Sequence, residues 1–179
     1  MAPSGRGMRA AIGGVVVYVR YAATRLYILG GSILLGATIY QMMVVVPAFA
    51  YDLPQSLVAF NDTAVKTTVF WTSPIGPLTA VCGVAAVLTV RKTPAFRWFL
   101  MSVVLAILAE AVTIVWVLPM LRAMGIIVGP AKPVADAALT AVTRRWVLVD
   151  QLRCAFLIVP SFLSGLVGFQ KLGLSTAKK

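Results

Sequence analysis

Residues 98–121 read WFLMSVVLAILAEAVTIVWVLPML and carry a single charge, the carboxyl group of Glu110. The stretch is longer than the roughly 20 residues that a helix needs to cross the hydrocarbon core of a bilayer. Glu110 falls near its middle, where a charged group costs roughly 2.5 to 3.5 kcal/mol on insertion scales. Because ionisable groups at that depth are retained mainly for function, Glu110 is the first candidate site residue.

The composition of the whole chain also indicates a protein embedded in a lipid bilayer. Hydrophobic residues make up 60% and charged residues 12%, whereas about 25% charged residues is typical of soluble domains. The predicted spans cover residues 26–51, 67–90, 98–121 and 146 to about 170. We therefore predict an all-α fold, an integral membrane four-helix bundle over residues 26–171. A basic N-terminal segment (1–25) precedes it and a basic tail (172–179) follows.

The distribution of the net charge of +11 indicates the orientation of the chain in a membrane rather than a surface that binds nucleic acid. Ten cations and no acid lie before the first span, between the second and third, and after the fourth, which predicts cytoplasmic termini. The expected partner is the lipid bilayer, in the inner membrane of the cell, and no nucleic acid. The ten are Arg6, Arg9, Arg20, Arg25, Arg91, Lys92, Arg97, Lys171, Lys178 and Lys179.

Glycines and prolines predict how the spans begin, end and pack. Ser32 and Gly36 form a small-xxx-small pair that predicts close approach of another helix, and Pro47 predicts the end of the first span. Pro74 and Pro77 leave two interpretations open: a helix start at the interface or a broken, cavity-lining segment. Residues 10–19 predict an interfacial or helix-extending segment. Short helices are predicted in both outer loops, around Pro54 and over 134–145.

The candidate site is a cluster of charged side chains. Asp150 and Arg153 are three residues apart near the start of the fourth span and can pair. Glu110 lies at a depth within reach of Arg153, which predicts a buried cluster of the three. In the alternative interpretation, Glu110 only hydrogen-bonds neighbouring helices and Arg153 only neutralises Asp150. The inward face of the third span is predicted to carry Ser102, Ala106, Glu110, Thr113 and Val117.

The residue inventory limits the chemistry. The chain has no histidine and no CxxC pair, which argues against haem ligation, zinc or copper sites and thiol oxidoreductases. An arginine beside two carboxylates disfavours a metal site. We expect no cofactor and no metal, and an acid–base site in an apolar pocket, with Glu110 as general base.

The layout resembles the small four-helix membrane proteins grouped with the anthrone oxygenases. The resemblance rests on residues 44–47 (VVVP), 73–75 (SPI) and 116–119 (WVLP), and on the face of Trp146, Asp150 and Arg153. In the family pattern an asparagine stands at the place of Asp150 and another follows the proline of the third span, where this chain has Met120 and Leu121.

The resemblance implies a cofactor-independent oxygenase that converts an aromatic polyketide or similar phenolic to a quinone. Glu110 would be the base, and Arg153, supported by Asp150, would stabilise the oxyanion. The substrate contacts would come from an aromatic slot and two polar neighbours: Tyr40, Trp71, Trp116 and Trp146, with Gln41 and Thr113. Two alternatives stay open: an accessory subunit of a larger membrane complex, and a small proton-coupled transporter.

Overall fold

A computed structural model describes residues 5–50, 53, 56, 74–125 and 136–176. Over these residues the chain is all-helical and has no strand, as predicted, and it forms four continuous helices. Three stretches are long and apolar enough to cross a membrane: Gly14–Ala48, Phe96–Ala123 and Ala138–Gly173. The second helix is apolar but shorter, and the opening residues of its predicted span, 67–73, lie outside the described residues.

Three of the four helices consist of two α-helical segments joined by one π-helical turn. The bounds in chain order are as follows. The first helix comprises Gly5–Tyr40, a π turn at Gln41–Val45, and Val46–Ala50. The second is Ile75–Thr89. The third comprises Phe96–Val112, a π turn at Thr113–Val117, and Leu118–Ala123. The fourth comprises Asp136–Arg153, a π turn at Cys154–Ile158, and Val159–Thr176.

The helices pack as a ring in which the first contacts the second and fourth, and the third contacts the same two. A short turn joins Thr89 to Phe96, so the second and third helices are antiparallel. We call this end the basic end, because exposed cations surround it: Arg25, Arg91, Lys92, Arg97 and Lys171. The opposite end is the distal end.

Each end has its own apolar core. The basic-end cluster is built around Tyr27, Ala86, Val90, Phe99 and Leu172. The distal cluster contains Val46, Val117, Met124, Leu139 and Trp146, from the first, third and fourth helices.

Close approach of the first and second helices occurs at a different glycine from the one predicted. A Cβ atom at Gly30 would overlap the Thr79 side chain, so only glycine fits there. Ser32 and Gly36 are exposed, and a Cβ at Gly36 would meet no described atom within 4 Å. Among the described residues no helix packs against Gly36, so close approach of another helix at this pair stays a prediction.

A proline accounts for each π-helical turn. Pro47, Pro119 and Pro160 each stand two residues after a π turn. Proline has no N–H to donate, and its ring crowds the carbonyl four residues earlier. The helix widens instead, and the residue before each proline donates to the carbonyl five residues back: Val46 to Gln41, Leu118 to Thr113 and Val159 to Cys154.

This arrangement corrects two predictions and confirms one other. Pro47 does not end the first helix, which continues to Ala50. Residues 136–145 do not form a separate loop helix, because the fourth helix begins at Asp136 and runs through them. The helix predicted around Pro54 lies outside the described residues. The helix-extending interpretation of residues 10–19 is confirmed. The second helix begins at Ile75, directly after Pro74, and the residues that would decide between the two interpretations of this segment lie outside the described residues.

Candidate functional site

Arg153 joins the third and fourth helices through a buried carboxylate and a hydroxyl. Its Nε donates to Asp150 Oδ1 at 2.8 Å, and its Nη2 lies 2.6 Å from the same oxygen. Its Nη1 donates to Thr113 Oγ1 at 2.6 Å. The Asp150 side chain is 2% exposed and that of Arg153 14%. The predicted contact between Arg153 and Asp150 is confirmed, and we call these three residues the Arg153 site.

Thr113 holds the guanidinium rigidly because its hydroxyl is fixed in turn. Thr113 Oγ1 accepts from Arg153 and donates to the carbonyl of Ala109 at 2.9 Å. Thr113 opens one π turn, and Arg153 immediately precedes another. Single π turns in α-helices occur frequently at functional sites.

The guanidinium keeps donors for a further ligand. Arginine carries five N–H groups, and the contacts with Asp150 and Thr113 account for one each on Nε, Nη1 and Nη2. These contacts leave one N–H on each Nη, so the guanidinium has donors for a further ligand.

Glu110 does not belong to this cluster, so the predicted buried group of three charged residues is wrong. Its side chain is exposed, and no ion pair or hydrogen bond to it occurs within the described part of the chain. Each four-residue step along a helix rotates by about 40° beyond a full turn. Glu110, two such steps after the buried Ser102, therefore points away from the axis of the bundle, while Thr113 returns toward it.

The predicted aromatic slot does not form from the residues proposed for it. Trp146 is 1% exposed and lies inside the distal cluster, whereas Tyr40 and Trp116 are 58% and 53% exposed. Gln41 is half-buried at the π turn of the first helix. Trp71 lies outside the described residues.

A second polar contact, which the sequence analysis missed, joins three helices. Ser102 Oγ donates to the Ser161 carbonyl at 2.6 Å, and Ser161 Oγ donates to the Ser102 carbonyl at 2.8 Å. Since the Ser102 hydroxyl proton is used, Tyr27 donates its own to Ser102 Oγ at 2.7 Å. The signal available in the sequence was a serine inside each of two apolar spans, Ser102 in the third and Ser161 in the fourth.

Two further features bear on what the site holds. Among the described residues, no group of three histidine, cysteine or acidic side chains is placed to bind a metal. A shallow groove on the first helix is lined by Tyr18, Tyr21, Ala22 and Arg25, and it includes none of the predicted site residues. The charged group that the Arg153 site offers is thus a guanidinium held by Asp150 and Thr113.

Comparison with protein-family models, with curated proteins and with solved structures finds no match to this chain.

Proposed function

We propose that the chain is an integral membrane protein with four spanning helices and both termini in the cytoplasm, in the inner membrane. The support is a belt of exposed apolar side chains on all four helices, far larger than a soluble monomer exposes. The larger number of cations at the basic end than at the distal end, where Arg122, Arg144 and Arg145 lie, favours the cytoplasmic orientation of the basic end. Large side chains that are more than half exposed include Leu29, Val81, Ile107, Ile114 and Phe156.

In this orientation the Arg153 site lies inside the hydrocarbon core, toward the outer face. Thr113 follows Arg97 by sixteen residues, which is about 24 Å at 1.5 Å per residue, in a core about 30 Å thick. An arginine at that depth needs anionic or hydrogen-bonding partners. Asp150 and Thr113 supply them and leave two N–H groups for a ligand.

We further propose that the protein is a cofactor-independent oxygenase of a small phenolic such as an anthrone. The observation that carries this proposal is the fixed, partly accessible guanidinium, which would hold the phenolic oxygen as it gains negative charge. Removal of a proton from the activated ring CH₂ gives a carbanion. The carbanion adds O₂ to form a hydroperoxide, and loss of water from the hydroperoxide leaves the ring ketone.

Glu110 is the base that we propose for the proton transfer. Asp150 is occupied by Arg153 and nearly inaccessible. Glu110 is exposed and lies three residues before Thr113, and side chains at this spacing are neighbours on a helix surface, about 5–6 Å apart at Cβ. A substrate held by Arg153 is therefore within about one helical turn of the carboxylate.

Oxygen uptake with an anthrone-like phenolic tests this function. We expect Glu110→Gln to lower kcat by roughly 10² to 10⁴, the usual effect of losing a general base. Arg153→Gln should also abolish most activity, because glutamine cannot hold the oxyanion with two charged donors. Arg145→Gln is the matched control, since Arg145 is exposed on the same helix outside the site. No uptake by the wild type across several such phenolics contradicts the proposal.

A second candidate, an accessory subunit of a larger membrane complex, is favoured by the exposed Ser32 and Gly36 pair. Neighbouring transmembrane helices pack closely against such small-residue faces. None of the described residues packs against Gly36. A fixed partner that co-purifies with wild type but not with Gly36→Leu would support this candidate.

A further inference from the structure

The contact between the second and third helices fixes how they are aligned along their length. A Cβ atom at Gly83 would come within 3.2 Å of Val103 Cγ2, so these two residues lie directly opposite each other. The helices run antiparallel. Moving seven residues toward the distal end leads from Val103 to Glu110 on one helix and from Gly83 to Gly76 on the other.

Glu110 and Gly76 therefore lie on facing sides of the two helices. Seven residues complete nearly two turns, with a drift of only about 20°. Unlike Gly83, Gly76 is not packed: an added Cβ would meet none of the described atoms within 4 Å. Glu110 is exposed at this height. Among the described residues, the interface that is closed at Val103 and Gly83 thus has no contact at half-buried Gly76, one heptad further out, and we call this opening the Glu110 notch.

The wall of the notch on the third helix is apolar except for the carboxyl group. The residues one turn to either side of Glu110, Ile107 and Ile114, are 61% and 63% exposed. Lipid tails have no donor for the carboxyl oxygens, and leaving a polar group unpaired in hydrocarbon is costly. An apolar molecule with a hydroxyl group matches both the acceptor and its surroundings.

The notch also adjoins the Arg153 site. Thr113 lies one turn beyond Glu110 and accepts the 2.6 Å bond from Arg153 Nη1. A molecule entering between Glu110 and Gly76 thus meets, one turn further on, the hydroxyl that fixes the guanidinium.

We propose that the Glu110 notch is a lateral entrance from the bilayer, where a membrane-dissolved phenol first binds by donating its hydroxyl to Glu110 opposite Gly76. The proposal rests on the proposed function for the identity of the ligand. It adds a route from lipid rather than from water, and it makes Gly76 a positioning residue that keeps the entrance open.

Labelling with a lipophilic carbodiimide tests access to the notch without relying on catalysis. Dicyclohexylcarbodiimide partitions into hydrocarbon and modifies carboxyl groups that are accessible there. In liposomes we expect it to modify Glu110 and not Asp150, with the sites assigned by mass spectrometry. Under nitrogen, 1,8-dihydroxyanthrone at about ten times its Kd should slow this labelling roughly tenfold, because only unoccupied protein reacts.

Filling the notch supplies the second arm. Gly76→Leu should slow the labelling of Glu110 and remove protection by the phenol, and it should raise KM for oxygen uptake with little change in kcat. Gly14→Leu is the matched control, since Gly14 also has open space but is exposed on the first helix, outside every proposed site. If Gly76→Leu does not fold, judged by its melting temperature, labelling and protection of the wild type decide alone.

The outcomes separate this proposal from the oxygenase proposal. Protected labelling without oxygen uptake supports the entrance and overturns the oxygenase. Oxygen uptake with unprotected labelling, or with an unchanged KM in folded Gly76→Leu, overturns the entrance alone. Failure of the carbodiimide to modify Glu110 also overturns it.

Discussion

At the scale of single residues, the Arg153 and Asp150 pair affects the free energy of unfolding mainly when only one of the two side chains is removed. Both side chains are largely buried, and an unpaired buried charge keeps its desolvation cost without compensation. Replacing the whole pair with apolar residues of similar size is often neutral. The pair is therefore better explained by a role in binding than by a need for stability.

We expect the effects of Asp150 and Arg153 substitutions on the free energy of unfolding to be strongly non-additive. Asp150→Leu and Arg153→Met should each destabilise the protein by about 3 to 5 kcal/mol, because each leaves one charge buried alone. The double variant should be destabilised by much less than the sum. Thermal unfolding in detergent measures all three, with Arg145→Met as the surface control. Additive effects would show that the two side chains do not depend on each other.

Glu110 shows why the sequence predicted the pair correctly but not the cluster. Asp150 and Arg153 are three residues apart on one helix, so local geometry alone brings them together. Whether Glu110 joins them depends on the rotation of the third helix about its axis. The predicted inward face of the third span allowed a drift of about 80° over two four-residue steps. At that angle a side chain leaves the interface with the fourth helix, which Ser102 faces.

At the scale of helices, the π turns determine which side chains can face the third helix together. Arg153 and Ser161 both bond to that helix, yet they are eight residues apart, which is about 80° out of phase in a regular α-helix. The intervening π turn takes up one extra residue and brings them to within about 20°. The sequence showed the prolines but not this consequence, since proline is as often a helix end.

Pro160→Ala should therefore break the hydrogen bond between Arg153 and Thr113 while the hydrogen bonds between Ser102 and Ser161 remain. With an N–H restored at position 160, the segment can return to regular α-helix and rotate Arg153 away from Thr113. In double-mutant cycles of Thr113→Val with Arg153→Met, we expect a coupling of about 0.6 to 1.7 kcal/mol in the wild-type background and almost none with Pro160→Ala. Pro94→Ala, in the turn before the third helix, is the control. Unchanged coupling in both backgrounds contradicts this role for the π turn.

Helix contact at Gly30 gives a second prediction at this scale. Gly30→Leu should destabilise the protein because the added side chain overlaps Thr79. The expected loss in free energy of unfolding is about 1 to 3 kcal/mol, the usual range for overpacking. Gly36→Leu on the same helix should leave the melting temperature nearly unchanged. Equal effects of the two substitutions would contradict the packing of the first and second helices described above.

At the scale of the whole molecule, composition and charge distribution were sufficient to predict an all-helical fold with long apolar helices. Those signals are averages over many residues, so an error at one position changes little. The extent of each helix and the rotation about its axis depend on a few prolines and glycines, and those details required the structure. In the proposed topology, the basic end and the distal end lie on opposite sides of a membrane.

Labelling of single cysteines with a membrane-impermeant thiol reagent tests that claim most directly. Cys82 and Cys154 are replaced by serine, and one new cysteine is placed at Lys92 at the basic end or at exposed Thr140 near the start of the fourth helix. We predict that the cysteine of Thr140→Cys reacts in intact cells and that the cysteine of Lys92→Cys reacts only after the membrane is opened. Reaction of both in intact cells, or of Lys92→Cys alone, would contradict the account.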